Sequence, residues 1–235
     1  MEQLRKDALL FGVELNDNQL SQFYTYYEML IEWNEKINLT AITDFDEVLK
    51  KHFLDSIAIG RIISQGDSVS ILDIGTGAGF PGIPIKIAFP NIDITLIDSL
   101  NKRVIFLNEV ITALSLTKIE AIHGRAEDFA KKDLLREKFD YCVSRAVANL
   151  SSLCEFCLPY VKIGGKFISY KSEKAKEELN ASKNAISILG GGNVSCDEFL
   201  LPDTDFNRTF VIIEKVKDTP LRYPRKAGTP IKQPL

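Results

Sequence analysis

Apolar positions along the chain follow two periods, and the change falls near residue 66. Leu4, Ala8 and Phe11, then Leu20, Phe23, Tyr27, Leu30 and Ile31, recur every three or four residues, the spacing of one helix face. Asn16 or Asp17 supplies a capping side chain for the second run. Residues 33–40 break into a polar turn, and a further helix is predicted from Phe45 to Ser64. Residues 1–66 therefore read as a helical cap packed on the remainder of the chain. Beyond Ser68, short apolar runs bounded by turn residues predict seven strands, at 69–74, 92–97, 119–122, 139–143, 166–170, 194–201 and 209–214. Helical patterns at 83–89, 102–114, 150–161 and 174–189 separate most of them. Strands alternating with helices predict right-handed crossovers and an α/β fold with a mostly parallel sheet. The last two runs have no full helix between them and predict an antiparallel hairpin at the sheet edge.

Composition narrows the class without naming a function. The 235 residues are 45% hydrophobic and 26% charged, which excludes collagen-like and disordered chains. No apolar run approaches the roughly 18 residues a bilayer span requires, and the acidic start does not read as a signal peptide. A cytoplasmic, soluble protein without membrane contact is expected. The net charge of −3 hides an asymmetry. Residues 1–66 carry 6 Lys/Arg against 11 Asp/Glu, whereas residues 215–235 carry 6 against 1. Such a tail is a candidate for phosphate contacts. Cys142, Cys154, Cys157 and Cys196 do not form a disulfide framework. The Cys154/Cys157 spacing is zinc-like, but Leu150, Leu153, Phe156 and Leu158 mark the face of a buried helix, so no metal is expected.

The strongest chemical signal is Ser70-Ile71-Leu72-Asp73-Ile74-Gly75-Thr76-Gly77-Ala78-Gly79-Phe80-Pro81-Gly82. A buried strand runs into three alternating glycines that let the backbone pass under a ligand, and then into Pro81 near a helix start. Gly77-x-Gly79-x-x-Gly82 matches the dinucleotide fingerprint, but that frame begins after the glycines have left the strand. The frame from Asp73 to Gly79 begins at the strand's end, and Asp98 closes the second strand 25 residues on, where a carboxylate can accept both ribose hydroxyls. That pairing serves NAD and S-adenosylmethionine alike. The frame that starts at Asp73, taken with Asp98, favours S-adenosylmethionine.

After the third strand, Gly124-Arg125-Ala126-Glu127-Asp128 can bracket an adenine or simply start a helix. After the fourth, Ser144 and Arg145 are expected to face the ligand, and Arg145 needs an anionic partner; a structural pair with Glu127 is the alternative. There is no Asn-Pro-Pro-Tyr or Asp-Pro-Pro-Tyr loop for an exocyclic amine and no Pro-Cys nucleophile. A ring nitrogen with an in-plane lone pair, such as guanine N7, needs neither. In the tail, Arg222, Arg225 and Lys226 can pair with phosphates and Tyr223 can stack on an unpaired base. The competing reading has the tail fold back as a staple on the acidic body.

Six blocks carry a resemblance that spans essentially the whole chain. They are Trp33-Asn34-x-x-x-Asn38-Leu39-Thr40, His52-Phe53-Leu54-Asp55-Ser56, Asp73 to Gly82, Arg125-Ala126-Glu127, Ser144-Arg145-Ala146, and Arg222 to Pro230. On these the chain resembles the bacterial small-subunit rRNA methyltransferase family RsmG, also called glucose-inhibited division protein B. Thr76 departs from the serine often found there. The resemblance implies a Rossmann-like class I methyltransferase domain over residues 67–235, with residues 1–66 as its helical extension. It implies methylation of guanine N7 at one position of 16S rRNA, with S-adenosylmethionine as cofactor. The cofactor residues would be Gly75, Gly77, Phe80, Asp98, Ala126, Glu127 and Arg145, and Ser144 and Arg145 the candidates for positioning the target. Arg222, Tyr223, Arg225 and Lys226 would face RNA, either 16S rRNA or a small-subunit particle, and the protein would be a monomer. An NAD(P)-dependent oxidoreductase accounts only for the glycines and Asp98. A non-catalytic nucleotide-binding protein, suggested by the older family name, accounts for none of the site residues.

Overall fold

The computed structural model describes residues 1–130 and 135–235. The strands are β1 (Ser70–Ile74), β2 (Asp93–Asp98), β3 (Ile119–His123), β4 (Phe139–Arg145), β5 (Val161–Lys171), β6 (Gly191–Leu200) and β7 (Asn207–Lys215). They form one sheet in the order β3-β2-β1-β4-β5-β7-β6. The first five run parallel, and β7 is antiparallel to both β5 and β6. All seven predicted strands and the edge hairpin are present. The chain progresses outward from β1 in one direction, then restarts at β4 in the other. The crevice between the ends of β1 and β4 is therefore the topological switch point where such sheets bind ligands.

The two sheet faces carry separate cores, as strands covered on both sides require. On one face, Ile71, Ile94, Leu96, Val143 and Ile168 pack with residues of the N-terminal helices Glu2–Leu9 and Asp17–Ile37 and of Gly82–Ala88 and Asn101–Ala113. On the other, Leu72, Ile74, Ile97, Cys142 and Phe167 meet Leu150–Cys157, Lys183–Ile188 and Tyr223. The long N-terminal helix begins with a reciprocal cap: Asn16 Oδ1 accepts from Gln19 N, and Gln19 Oε1 accepts from Asn16 N, each at 2.9 Å. Cys154 and Cys157 are buried within Leu150–Cys157, and burial pushes both thiols up.

Two predicted helices are irregular, each for a local reason. Phe45–Ser64 is not continuous: an α-turn gives way to a π-helical segment, Leu49–Leu54, and ends in a 3₁₀ turn, Ala58–Arg61. There the carbonyls of Lys51 and His52 accept from Arg145 at 3.2 and 3.5 Å, and Ser56 Oγ also donates to His52 O, in competition with the helical ladder. The predicted 174–189 helix breaks at Ser182, whose Oγ donates back to Glu178 O at 2.7 Å.

Candidate active site

The glycine loop leaves β1 at the switch point and is fixed from three sides. Asp73 Oδ2 accepts from Thr76 Oγ1 (2.7 Å) and Gly82 N (2.9 Å), tying both ends of the loop to the strand it leaves. Asp98 Oδ2 accepts from Gly77 N at 2.9 Å, and its Oδ1 accepts from Leu100 N at 2.9 Å. From the N-terminal helix, the buried Tyr26 hydroxyl donates to Ala78 O. Gly75 has φ +69°, and a Cβ there would lie 2.6 Å from Val147 Cγ2, so glycine alone keeps the crevice open.

Two cavities meet over this loop. The larger, about 780 Å³, opens on the side of the N-terminal helices and is lined by Lys51, His52, Gly77, Phe80, Arg145 and Arg208 among others. The smaller, about 340 Å³, lies beyond the ends of β1 and β2, between Ile97, Ser99, Ala126, Glu127, Phe156 and Ile231. Gly75 and Val147 line both. The structure thus brings together Gly75, Gly77, Phe80 and Arg145 around one cavity, and Gly75, Ala126 and Glu127 around the other. Asp98 is 3% exposed and lies behind the loop, outside both linings.

One expectation at the end of β4 needs correction, and the alternative partner for Arg145 does not hold. Ser144 does not face the crevice: it is fully buried, and its Oγ donates to Ile74 O at 2.9 Å. Adjacent strand residues point to opposite faces, and here Arg145 is the one on the lining of the larger cavity. Nor does Arg145 pair with Glu127. Its Nη1 donates to Asp55 Oδ2 at 2.7 Å, while Glu127 Oε1 accepts from Gly228 N at 2.9 Å.

Asp55, 3% exposed, also takes Arg208 Nε on its other oxygen at 2.8 Å. One carboxylate thus serves two guanidiniums, leaving positive charge on the wall of the larger cavity. The Arg145 guanidinium stands 5.1 Å over the Phe80 ring, and the His52 ring stacks on Phe80 at 4.4 Å. Arg145 can only donate, so His52 Nδ1, 3.4 Å from its Nη2, accepts, and Nε2–H donates to Thr40 Oγ1 at 2.8 Å. Burial first, then the Arg145 charge, lowers His52 to about 3. Burial raises Asp73 to about 6, against the bonds from Thr76 and Gly82 that lower it.

These shifts act on stability in opposite directions as the pH falls. The unfolded imidazole, near 6.5, takes up a proton that the folded ring, at about 3, refuses. Stability is lost through that window, by about 2 kcal/mol between pH 7 and 5. The folded Asp73 carboxyl, at about 6, binds a proton that the unfolded group, near 3.8, does not. Stability is gained through that window, by about 1 kcal/mol at pH 5. His52→Gln should therefore gain about 2 kcal/mol on the wild type when urea unfolding is moved from pH 7 to pH 5. An unchanged difference between the two pH values would mean that the His52 ring titrates as freely folded as unfolded.

The tail also departs from the expectation of four RNA-facing residues. Tyr223 is 7% exposed, and its carbonyl accepts from Arg136 Nη1 at 2.9 Å. Arg225 grips Glu155 through Nε and Nη2 at 2.6–3.0 Å, and Glu155 is fully buried. A buried carboxylate requires such a partner, so these two side chains are turned into the fold. Arg222 and Lys226 remain outside that buried set, and both are exposed.

Tyr26, His52, Asp55 and Arg208 complete the site, and sequence patterns alone do not single them out. His52 and Asp55 lie inside a quoted block, but nothing local shows that they face Arg145. Among the described residues there is no cluster of metal-ligating side chains, and no helix is long and apolar enough to cross a membrane.

The family model for GidB, rRNA small subunit methyltransferase G, matches residues 19–206. The chain belongs to the rRNA small subunit methyltransferase G family. A member from Lachnoclostridium phytofermentans, named Ribosomal RNA small subunit methyltransferase G, is 56% identical over 224 residues, covering 95% of this chain and 93% of that one. One of the same name from Clostridium perfringens is 51% identical over 232 residues, covering 99% and 97%. Solved structures share the fold at low identity. A SAM-dependent O-methyltransferase from Thermotoga maritima aligns with TM-score 0.54 at 13% identity, over 81% of this chain and 72% of that one. A SAM-dependent methyltransferase from Aquifex aeolicus aligns with TM-score 0.54 at 17% identity, over 74% and 95%. The fold is that of the class I methyltransferases, and family membership sets aside the oxidoreductase and non-catalytic readings. In this member of the family, residues of the blocks around Thr40, His52, Gly75 and Arg145 line the larger cavity, and Ala126, Glu127 and Gly228 line the smaller.

Proposed function

We propose that the chain transfers a methyl group from S-adenosylmethionine to guanine N7 at one position of 16S rRNA. The observation that carries this reading is the junction of the two cavities at Gly75 and Val147. The residues fit the cofactor. A slot edged by Ile97, Phe156, Ala126 and Glu127 suits an adenine, and a Cβ at Gly75 would obstruct the passage to the larger cavity. Asp73 Oδ1, buried without a partner, shows a polar atom left over beside the loop. Gly75, Gly77, Phe80, Ala126, Glu127 and Arg145 would hold the cofactor, with Asp98 beneath the loop. Bound there, the cofactor supplies an electrophilic methyl group on a sulfonium.

The protein's task is alignment rather than proton removal, because guanine N7 already presents its lone pair in the ring plane. His52 and Phe80 form a stacked pair on the cavity wall, and Arg145 holds positive charge beside it. A histidine that stays neutral to about pH 3 adds no titration near neutrality. Single-turnover transfer should accordingly be flat between about pH 7 and 8.5. A log-linear rise of slope one would point to a target that must lose a proton. The identity test is mass mapping of 16S rRNA from cells lacking the protein, before and after incubation with it and S-adenosylmethionine. One new N7-methylguanine is expected, and transfer to an exocyclic amine would overturn the reading.

Residues 1–66 act in this reading as the helical cap of a methyltransferase domain spanning 67–235. The RNA would meet the larger cavity's rim, where Lys51 and Arg208 stand 4.7 and 5.8 Å from the Phe206 ring. Arg222 and Lys226 would add phosphate contacts. Replacing both by Ala should flatten the salt slope of rRNA binding by about two units, one per lost contact, with the melting temperature unchanged. An unaltered slope would remove the tail from the RNA interface.

A further inference from the structure

The segment from Arg225 to Lys232 crosses the mouth of the smaller cavity and is held there at three points. Arg225 closes on Glu155, Ser152 Oγ donates to Pro230 O at 2.7 Å, and Gly228 N donates to Glu127 Oε1 at 2.9 Å. Gly228, with φ +81°, then turns the chain into the short helix Thr229–Lys232. This sets Ile231 on the cavity lining together with Ala126 and Glu127, with 58% of its surface exposed. The rest of that lining includes Ile74, Ile97 and Phe156, with Ser99 and Glu127 as polar edges. An apolar slot with a polar edge, and an isoleucine at its rim, matches a flat heteroaromatic ring.

We propose that the 225–232 segment is the outer wall of the adenine subsite. Ile231 covers the ring, and the Gly228 N–H fixes the Glu127 carboxylate beside it. The inference rests on the cofactor reading above and adds to it a wall supplied from beyond the sheet. Cofactor binding and docking of the segment are then linked, each strengthening the other by the same factor. The tail thereby serves the cofactor as well as the fold.

The test uses the full chain with S-adenosylhomocysteine as probe. Ile231→Ser should weaken its binding about 5- to 30-fold by calorimetry, and adenosine binding by the same factor, while Ile231→Leu restores most of it. Because Ile231 is largely exposed, the melting temperature without ligand should stay at the wild-type value. Saturating S-adenosylhomocysteine should slow tryptic cleavage after Lys226 and Lys232 at least about tenfold in the wild type, by holding the segment down. Wild-type affinity in Ile231→Ser, or cleavage indifferent to the ligand, would overturn the wall. Failure of the wild-type protein to bind S-adenosylhomocysteine at all would instead overturn the cofactor reading beneath it.

Discussion

Arg225→Ala should lower the melting temperature by roughly 10 °C, although the residue lies in a basic tail that looks dispensable. Glu155 is fully buried, and the Arg225 backbone N–H and guanidinium make four bonds to it, of 2.6–3.0 Å. Removing the cation strands a charge in the interior, which costs about 3–5 kcal/mol. In a domain of this size each kcal/mol moves the midpoint by about 2–4 °C. Arg225→Lys keeps the charge but not the fork and should recover only part of the loss. Glu155→Gln should recover more in the Arg225→Ala background than its own cost predicts, because the amide removes the stranded charge. A shift below about 2 °C for Arg225→Ala would show that water satisfies Glu155 and that the tail is not a staple. Of the three cations in the tail cluster, only Arg222 and Lys226 can therefore be replaced without loss of stability.

Asp98→Ala should weaken S-adenosylmethionine binding roughly 30- to 1,000-fold, on the order of 2–4 kcal/mol. The carboxylate accepts from Gly77 N and Leu100 N, so its loss frees the glycine loop even before any ribose contact is counted. A chemical cycle separates the two contributions. If Asp98 touches the ribose hydroxyls, its substitution should cost adenosine far more than 2′,3′-dideoxyadenosine. If it acts only through the loop, both ligands should lose the same factor. An unchanged dissociation constant for S-adenosylmethionine, measured by calorimetry, would remove Asp98 from both roles.

Central strands such as β1 and β2 were legible because a strand buried on both faces is a short apolar run whatever surrounds it, and Gly75, Gly77 and Gly79 were legible because each has a positive φ, which favours glycine. What sequence patterns could not supply was pairing at a distance. Arg145 visibly needed an anion, yet Asp55 lies 90 positions earlier, in a segment that reads as an ordinary amphipathic helix. Glu155 was hidden in the same way: an acidic residue in an apolar helix looks like its solvent face until Arg225, 70 positions later, closes over it. Ser144 is a different case, because the alternation of a strand already places it on the opposite face from Arg145.

The shared Gly75–Val147 boundary has a consequence for inhibitor chemistry. Cavities of about 340 and 780 Å³ that touch along two residues can be filled by one molecule with a short tether. An adenosine analogue joined to a purine across that boundary would bring its second half into place at high effective concentration once the first is seated. Its selectivity would come from the half beyond the boundary rather than from the adenosine end. Adenosine-shaped slots are common to enzymes that use this cofactor. A neighbouring chamber walled by a neutral histidine, a phenylalanine and two arginines on one aspartate belongs to this architecture.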